Sequence, residues 1–135
     1  MIGGSTGPRI LIVEDERIVA RDFQGRLGGL GFGNSDIAGS GKEALRKVAE
    51  APPDLIFMDI KLKRDMDGIE TAFRVRACYD IPVLFMSAMT DPETRGRAAS
   101  IGRVFYISKP LREKEISEVL RSAGLETLPV MALPP

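Results

Sequence analysis

Short apolar runs alternate five times with longer segments of helical spacing, and this alternation limits the folds that the chain can adopt. β-branched and aromatic residues favour strands, and strands alternating with helices form a parallel sheet covered on both faces. The runs are Arg9–Val13, a weaker run Asn34–Gly39, Leu55–Met58, Pro82–Met86 and Val104–Ile107. Because 135 residues suit one domain, the pattern predicts a single α/β domain with five parallel strands and five helices.

The segments that follow the runs carry helix signals. Ser40-x-x-Glu43 and Thr90-x-x-Glu93 are capping boxes that begin the second and fourth helices. Apolar residues recur at helical spacing in the other three, as Val19, Phe23, Leu27 and Leu30, as Ile69, Ala72 and Phe73, and as Ile116, Val119 and Leu120. The predicted helices are Glu16 to about Leu30, Gly41–Glu50, Ile69–Tyr79, Asp91–Ser100 and Arg112–Gly124.

Two elements depart from the ordinary pattern. Gly25, Gly28 and Gly29 crowd the end of the first helix, and each interior glycine costs about 1 kcal/mol relative to alanine. We therefore expect this helix to fray or to end early. The second run is polar where a central strand would be apolar, so it is expected at an edge of the sheet.

Composition argues against several classes of partner. Lys plus Arg and Asp plus Glu number 19 each, and zero net charge argues against nucleic-acid or membrane binding through bulk charge. With Cys78 as the single cysteine, no disulfide can form within the chain, which fits a reducing cytoplasm. No apolar run approaches the ~20 residues of a membrane span, and "MIGGSTGP" lacks the features of a signal peptide. We predict a cytoplasmic protein.

The sequence contains no histidine. Catalysis by Ser-His-Asp or Cys-His groups and zinc sites with histidine ligands are therefore excluded. Any chemistry that needs a phosphohistidine must take it from another protein.

Ionisable and hydroxyl side chains follow four of the predicted strands. Glu14 and Asp15 follow the first, Asp59 the third, Ser87 the fourth and Lys109 the fifth. Sites in open parallel sheets form at the carboxyl ends of the strands, so these side chains are expected to meet at one edge. Taken singly, Glu14 or Asp15 could be a helix cap, Ser87 a turn residue and Lys109 a solvated lysine. Asp59 is harder to explain in this way, because the next helix begins only after a long loop. The shared position of these side chains favours a functional site.

The chemistry of this group is consistent. Three carboxylates close together repel one another and require a cation, and an all-oxygen set selects a hard ion such as Mg²⁺ or Mn²⁺. Lys109 and Ser87 could hold phosphoryl oxygens. A carboxylate can be the nucleophile that accepts a phosphoryl group, so Asp59, at the end of the most apolar run, is predicted to be the acceptor.

The motifs "LIVEDE", "DLIFMDIKL" with "DGIE", "FMSA" and "YISKP", in this order and spacing, resemble the receiver domain of two-component response regulators. The resemblance covers roughly Arg9 to Ala123. It implies a flavodoxin-like fold with strand order 2-1-3-4-5. It divides the chain into a flexible segment 1–8, a receiver domain 9–123 and a tail or linker stump 124–135, which is too short for a DNA-binding domain.

The resemblance also implies roles for individual residues. Asp59 corresponds to the phosphoacceptor, Glu14 and Asp15 to the acidic pair that binds the metal, and the Lys61 backbone carbonyl to a further metal ligand. Lys109 corresponds to the lysine that contacts the phosphoryl group, and its peptide bond to Pro110 is expected to be cis.

A signalling role follows from the same resemblance. Ser87 corresponds to the switch hydroxyl and Tyr106 to the switch aromatic, and phosphorylation is expected to change the face of the fourth helix, fifth strand and fifth helix. A histidine kinase or histidine phosphotransfer protein would donate the phosphoryl group, docking partly on the first helix. A downstream protein or a second copy of the chain would bind the changed face. The domain would be mainly a switch that catalyses its own phosphorylation and dephosphorylation.

Two alternatives remain open. A haloacid-dehalogenase-like phosphatase also uses an aspartate after a strand, but it needs a second aspartate where this chain has Lys61. A receiver-like scaffold that works without phosphorylation is disfavoured by the complete acidic cluster. The loop from Asp59 to Gly68 is one residue longer than the commonest receiver pattern and resembles a "DIxLxxxMDGIE" variant.

Overall fold

The alternation of strands and helices is present throughout the computed structural model, which describes residues 7–87, 92–102 and 104–124. The strands are β1 (Ile10–Val13), β2 (Ser35–Ala38), β3 (Leu55–Asp59), β4 (Val83–Ser87) and β5 (Val104–Ser108). The helices are α1 (Arg17–Gly29), α2 (Gly41–Glu50), α3 (Gly68–Cys78), α4 (Pro92–Ala99) and α5 (Glu113–Ser122).

All five strands lie in one parallel sheet with the order β2-β1-β3-β4-β5. The predicted fold and strand order are confirmed, and the polar second strand lies at an edge. Residues 1–6 and 125–135, which include most of the predicted terminal segments, lie outside the described part of the chain.

Alternate residues of each strand point to opposite faces of the sheet, because the side-chain period of a strand is two. On one face Leu11, Ile56 and Phe85 lie in a core cluster with residues of α2, α3 and α4. On the other face Ile12 and Phe57 lie in a second cluster with residues of α1 and α5. Burial on both faces explains why β3 and β4 are almost continuously apolar.

The capping signals set where α2 and α3 begin. The Ser40 hydroxyl accepts a hydrogen bond from the Glu43 amide at 3.1 Å, and the Glu43 carboxylate accepts one from the Gly39 amide at 2.6 Å. Asp67 caps α3 in the same way by accepting from the Glu70 amide at 2.8 Å. The capping box of α2 is confirmed. The predicted one at Thr90 lies outside the described residues.

The exposed side of β2 is covered by side chains from its neighbours. The Asn34 and Ala38 carbonyls accept hydrogen bonds from β1 and the residue after it, so the Ser35 and Ile37 carbonyls face outward. Gln24 of α1 donates to the Ser35 carbonyl at 3.2 Å, and Lys47 of α2 donates to the Ile37 carbonyl at 2.6 Å. The Ile37 amide donates to the side chain of Asp36 at 2.8 Å.

The expectation that α1 ends early is wrong, because the helix continues to Gly29. Its buried face consists of Ala20, Phe23 and Leu27, and the Phe23 ring meets the Phe57 ring edge-on with centroids 4.6 Å apart. Tertiary packing of such a face contributes more to helix stability than propensity does. Packing therefore offsets the cost of the glycines.

Gly25→Ala is expected to raise the free energy of unfolding by about 0.5–1 kcal/mol. A Cβ added at Gly25 would meet no atom within 4 Å, so alanine gains helix propensity without a clash. Urea unfolding of the two proteins measures the difference. An equal or lower stability for the variant would contradict this account of α1.

Helical spacing predicted only some of the residues on the buried faces of α1 and α3. In α3, Ile69 and Ala72 are buried, whereas Phe73 is 60% exposed. In α1, Val19 is 39% exposed.

Among the described helices, none has the length and apolar character needed to cross a membrane.

Candidate functional site

The carboxyl ends of β1, β3 and β5 bring acidic and basic side chains together. Glu14 and Asp15 directly follow β1, Asp59 is the last residue of β3, and Lys109 directly follows β5. One carboxylate oxygen from each of the three acids lies within 4.8 Å of the others. The Lys109 ammonium lies 3.3 Å from Glu14 Oε1 and 3.7 Å from Asp59 Oδ1. These four predicted site residues therefore converge as the strand-end rule requires.

The acids of this cluster differ in burial. Glu14 is 2% exposed and Asp59 is 6% exposed, whereas Asp15 is half-buried. Burial is the largest effect on the pKa of Glu14 and raises it above its ordinary value, and the nearby Asp59 charge acts in the same direction. The hydrogen bond from the Glu16 amide and the nearby Lys109 ammonium lower this pKa but do not cancel the rise. The raised pKa follows from the general cost of removing a carboxylate from water.

Backbone amides orient all three carboxylates. The Glu16 amide donates to Glu14 Oε2 at 3.1 Å. The Lys61 amide donates to Asp59 Oδ1 at 3.2 Å, and the Lys63 amide donates to Asp15 Oδ2 at 3.2 Å. These contacts could not be predicted from residue types, since any residue except proline can supply an amide. They tie the loop after β3 to both acidic strand ends.

A backbone hydrogen bond joins the end of β4 to the residue that follows β5. Ser87 is the buried last residue of β4, and its carbonyl accepts a hydrogen bond from the Lys109 amide at 2.9 Å. The Lys109–Pro110 peptide bond is cis, as predicted. Ser87 thus lies at the same edge of the sheet as the acidic cluster.

Tyr106 lies on β5 between the sheet and α4. The centroids of the Tyr106 and Phe85 rings are 5.9 Å apart. The Arg95 guanidinium carbon lies 5.3 Å from the Tyr106 ring centroid in a cation–π contact. The Tyr106 hydroxyl also lies 3.4 Å from the Arg95 carbonyl. Burial raises the pKa of Tyr106, and Arg95 opposes that shift. The Arg95 contact was missed from the sequence, because spacing does not show which residue of α4 faces β5.

The cluster has the donor set that a hard dication prefers. It offers one carboxylate oxygen each from Glu14, Asp15 and Asp59, and Lys109 is a cation at salt-bridge distance from two of them. Three negative charges against one positive charge leave an excess that Mg²⁺ or Mn²⁺ would neutralise. The residues therefore fit the predicted metal.

The fold and this cluster define a class of protein, and comparison with known families agrees. The family description "Response regulator receiver domain" matches residues 10–121. The chain belongs to this family, whose members act in two-component signalling. The dehalogenase-like alternative is thereby set aside.

Two curated relatives illustrate the likeness. The chain is 35% identical over 119 residues to the transcriptional regulatory protein ZraR of Escherichia coli strain K12, covering 87% of this chain and 26% of ZraR. It is 33% identical over 114 residues to the transcriptional regulatory protein KdpE of Mycobacterium tuberculosis strain H37Rv, covering 84% of this chain and 50% of KdpE. The chain thus spans a quarter to a half of these relatives.

Solved structures show the same fold. The N-terminal domain of a response regulator/sensory box/GGDEF three-domain protein from Carboxydothermus hydrogenoformans is 33% identical, with a TM-score of 0.77, covering 85% of this chain and 92% of that one. The chemotaxis protein CheY4 of Vibrio cholerae has a TM-score of 0.80 at 24% identity, covering 87% and 99% of the two chains. At that identity, CheY4 supports the fold alone.

Proposed function

We propose that this chain is a phosphorylation-dependent switch that accepts a phosphoryl group on Asp59 from a partner histidine kinase or histidine phosphotransfer protein. The observation that carries the proposal is the convergence of three carboxylates with Lys109 at the carboxyl edge of the sheet. Membership of the receiver family supports it. The receiver unit is proposed to extend from residue 9 to residue 123 and to act in the cytoplasm.

In the proposed transfer, a carboxylate oxygen of Asp59 attacks the phosphorus of the donor's phosphohistidine. A phosphorus–oxygen bond forms, the phosphorus–nitrogen bond breaks, and its electron pair returns to the imidazole nitrogen. The Lys61 amide, 3.2 Å from Asp59 Oδ1, fixes the orientation of the carboxylate before attack. This orientation reduces the entropy lost in reaching the transition state.

The surrounding residues would stabilise the negative charge of the incoming phosphoryl group. Glu14, Asp15, Asp59 and the Lys61 carbonyl would hold Mg²⁺ or Mn²⁺, which when bound neutralises charge on phosphoryl oxygens. Lys109 lies 3.7 Å from Asp59 Oδ1 and would exchange its contacts with the acids for contacts with a phosphoryl oxygen.

The surface around the site offers a place for the donor protein. Ile18, on the first turn of α1 and three residues after Asp15, is 85% exposed, and Val19 beside it is 39% exposed. Exposed apolar residues next to a site suit a protein partner. We therefore propose that the kinase or phosphotransfer protein contacts the start of α1.

The face formed by α4, β5 and α5 is proposed to carry the signal to a downstream protein or to a second copy of the chain. Once phosphorylated, Asp59 would attract the Ser87 hydroxyl, and Tyr106 would fill the space that Ser87 leaves. Such a movement breaks the 5.3 Å contact between Arg95 and the Tyr106 ring. Because Arg95 belongs to α4, the change reaches the outer surface.

Beryllofluoride, a phosphoryl mimic, is expected to shift amide NMR signals on α4, β5 and α5 more than those on α2. Tyr106 ring signals should shift as well, because the ring leaves Arg95. Spectra of the wild type with Mg²⁺, before and after beryllofluoride, measure the effect, and Asp59→Asn is the control. Unchanged signals on that face of the wild type would contradict the switch.

Phosphorylation itself tests the proposed function. The wild type, incubated with acetyl phosphate and Mg²⁺, should give a slower band on a Phos-tag gel, and Asp59→Asn should not. Asp54→Asn is a matched control, since Asp54 precedes the same strand at its opposite end and accepts a hydrogen bond from the Arg9 amide. A wild type that gives no slower band would favour the scaffold alternative.

A further inference from the structure

Gly68, the first residue of α3, lies against the backbone of Asp59. A Cβ at position 68 would lie 2.9 Å from the Asp59 carbonyl carbon and 2.9 Å from the Ile60 Cα, and closer still to the Asp59 carbonyl oxygen. Real Cβ atoms do not approach other atoms this closely. Gly68 has no positive φ, so the missing side chain, and not backbone freedom, is what the position requires.

The atoms that a side chain at position 68 would strike cannot rotate away, because they belong to the main chain. The Ile60 amide donates to the Met86 carbonyl of β4 at 3.1 Å, and the Gly68 amide donates to the Ile60 carbonyl at 2.9 Å. The Asp59–Ile60 peptide is therefore held between the sheet on one side and the start of α3 on the other. α3 cannot easily retreat, since Ile69, Ala72 and Val75 are buried in the core.

We infer that Gly68 is a positioning residue, one that sets where the Asp59 carboxylate lies relative to Asp15, Glu14 and Lys109. The inference rests on the proposed function, in which Asp59 accepts the phosphoryl group. A side chain at position 68 must push the Asp59–Ile60 peptide by about 1 Å, and a functional group works only within about 0.5 Å of its productive position. The Lys61 carbonyl, two residues after Asp59, would move with the same peptide segment.

A second tight glycine supplies a matched control. A Cβ at Gly41, the first residue of α2, would lie 2.6 Å from Met66 Cγ and would also strike the Thr71 hydroxyl. Those atoms belong to side chains outside the acidic cluster. Gly41→Ala therefore strains the contact of α2 with α3 and with the loop before α3, and it is expected to lower stability. It is expected to leave the Asp59 backbone in place, because no Asp59 atom lies among the atoms that the new Cβ would strike.

The test compares Gly68→Ala and Gly41→Ala under conditions in which urea curves show both proteins to be folded. Gly68→Ala is expected to raise the Mn²⁺ dissociation constant about tenfold, as followed by the paramagnetic resonance signal of free Mn²⁺. It should slow phosphorylation by acetyl phosphate roughly 100-fold. Gly41→Ala should change each quantity less than about twofold, although it also loses stability.

Three outcomes would overturn the inference. The first is a folded Gly68→Ala protein that binds Mn²⁺ and is phosphorylated as the wild type is. The second is a Gly68→Ala protein whose Mn²⁺ binding and phosphorylation are impaired no more than those of Gly41→Ala. The third is failure of Gly68→Ala to fold even when Gly25→Ala and Gly28→Ala are added to stabilise the protein, because Gly68 would then be a requirement of the fold. At both of these α1 glycines an added Cβ would meet no atom within 4 Å. If the wild type itself is not phosphorylated, the proposed function fails, and the Mn²⁺ comparison still decides the role of Gly68.

Discussion

Asp15→Ala is expected to abolish phosphorylation by acetyl phosphate as thoroughly as Asp59→Ala does, with a loss of roughly 100-fold or more. Asp15 contributes one of the three carboxylate oxygens that lie within 4.8 Å of one another. Its removal leaves Glu14 and Asp59, and Glu14 is already paired with Lys109. The affinity for Mg²⁺ should therefore fall about tenfold or more, and charge on the incoming phosphoryl group would not be neutralised.

The measurement is the rate of phosphorylation in millimolar Mg²⁺, followed on Phos-tag gels. Asp22→Ala is a suitable control, because Asp22 is an exposed acid of α1 whose partner is Arg26 at 3.5 Å. That variant should react as the wild type does. Normal phosphorylation of Asp15→Ala would remove Asp15 from the metal site.

Lys109→Met is expected to lower the free energy of unfolding in metal-free buffer by roughly 1–3 kcal/mol, because it leaves buried acids without their cation. The Lys109 ammonium lies 3.3 Å from Glu14, whose side chain is 1% exposed. Methionine keeps much of the length of lysine and removes its charge. Saturating Mg²⁺ should narrow the difference, since a dication that binds the folded protein stabilises it.

Urea unfolding with and without Mg²⁺ measures both effects. Lys114→Met makes the same substitution at an exposed position of α5 and should change stability by less than about 0.5 kcal/mol. If Lys109→Met is as stable as the wild type without metal, Lys109 does not balance the charge of the cluster.

The α/β fold class and the place of the site could be predicted because both follow from patterns along the chain, whereas the strand order was implied by the resemblance to receiver domains. The apolar runs gave the strands, and Ser40 with Glu43 gave the start of α2. The convergence of the acidic cluster and Lys109 could be predicted without any knowledge of contacts, because the carboxyl ends of parallel strands lie at one edge of the sheet. The roles of those residues stay predictions.

What the sequence could not predict depends on neighbours in space. Phe73 has helical spacing, yet spacing does not tell whether another element covers that face. The amides of Lys61 and Lys63 orient carboxylates through the main chain, which no residue type reveals. In the sequence, Gly68 belongs to an Asp-Gly pair, which is a common turn signal. Only the structure shows that a side chain at this position would strike the backbone of Asp59.

The hydrogen bonds on the outer side of β2 bear on how the protein behaves at high concentration. An open sheet edge is a template on which another chain can add a strand, and such addition leads to fibres. Here Gln24, Lys47 and Asp36 already occupy outward backbone groups of β2. A strand from another chain would have to displace all three side chains, so they oppose growth of the sheet at this edge.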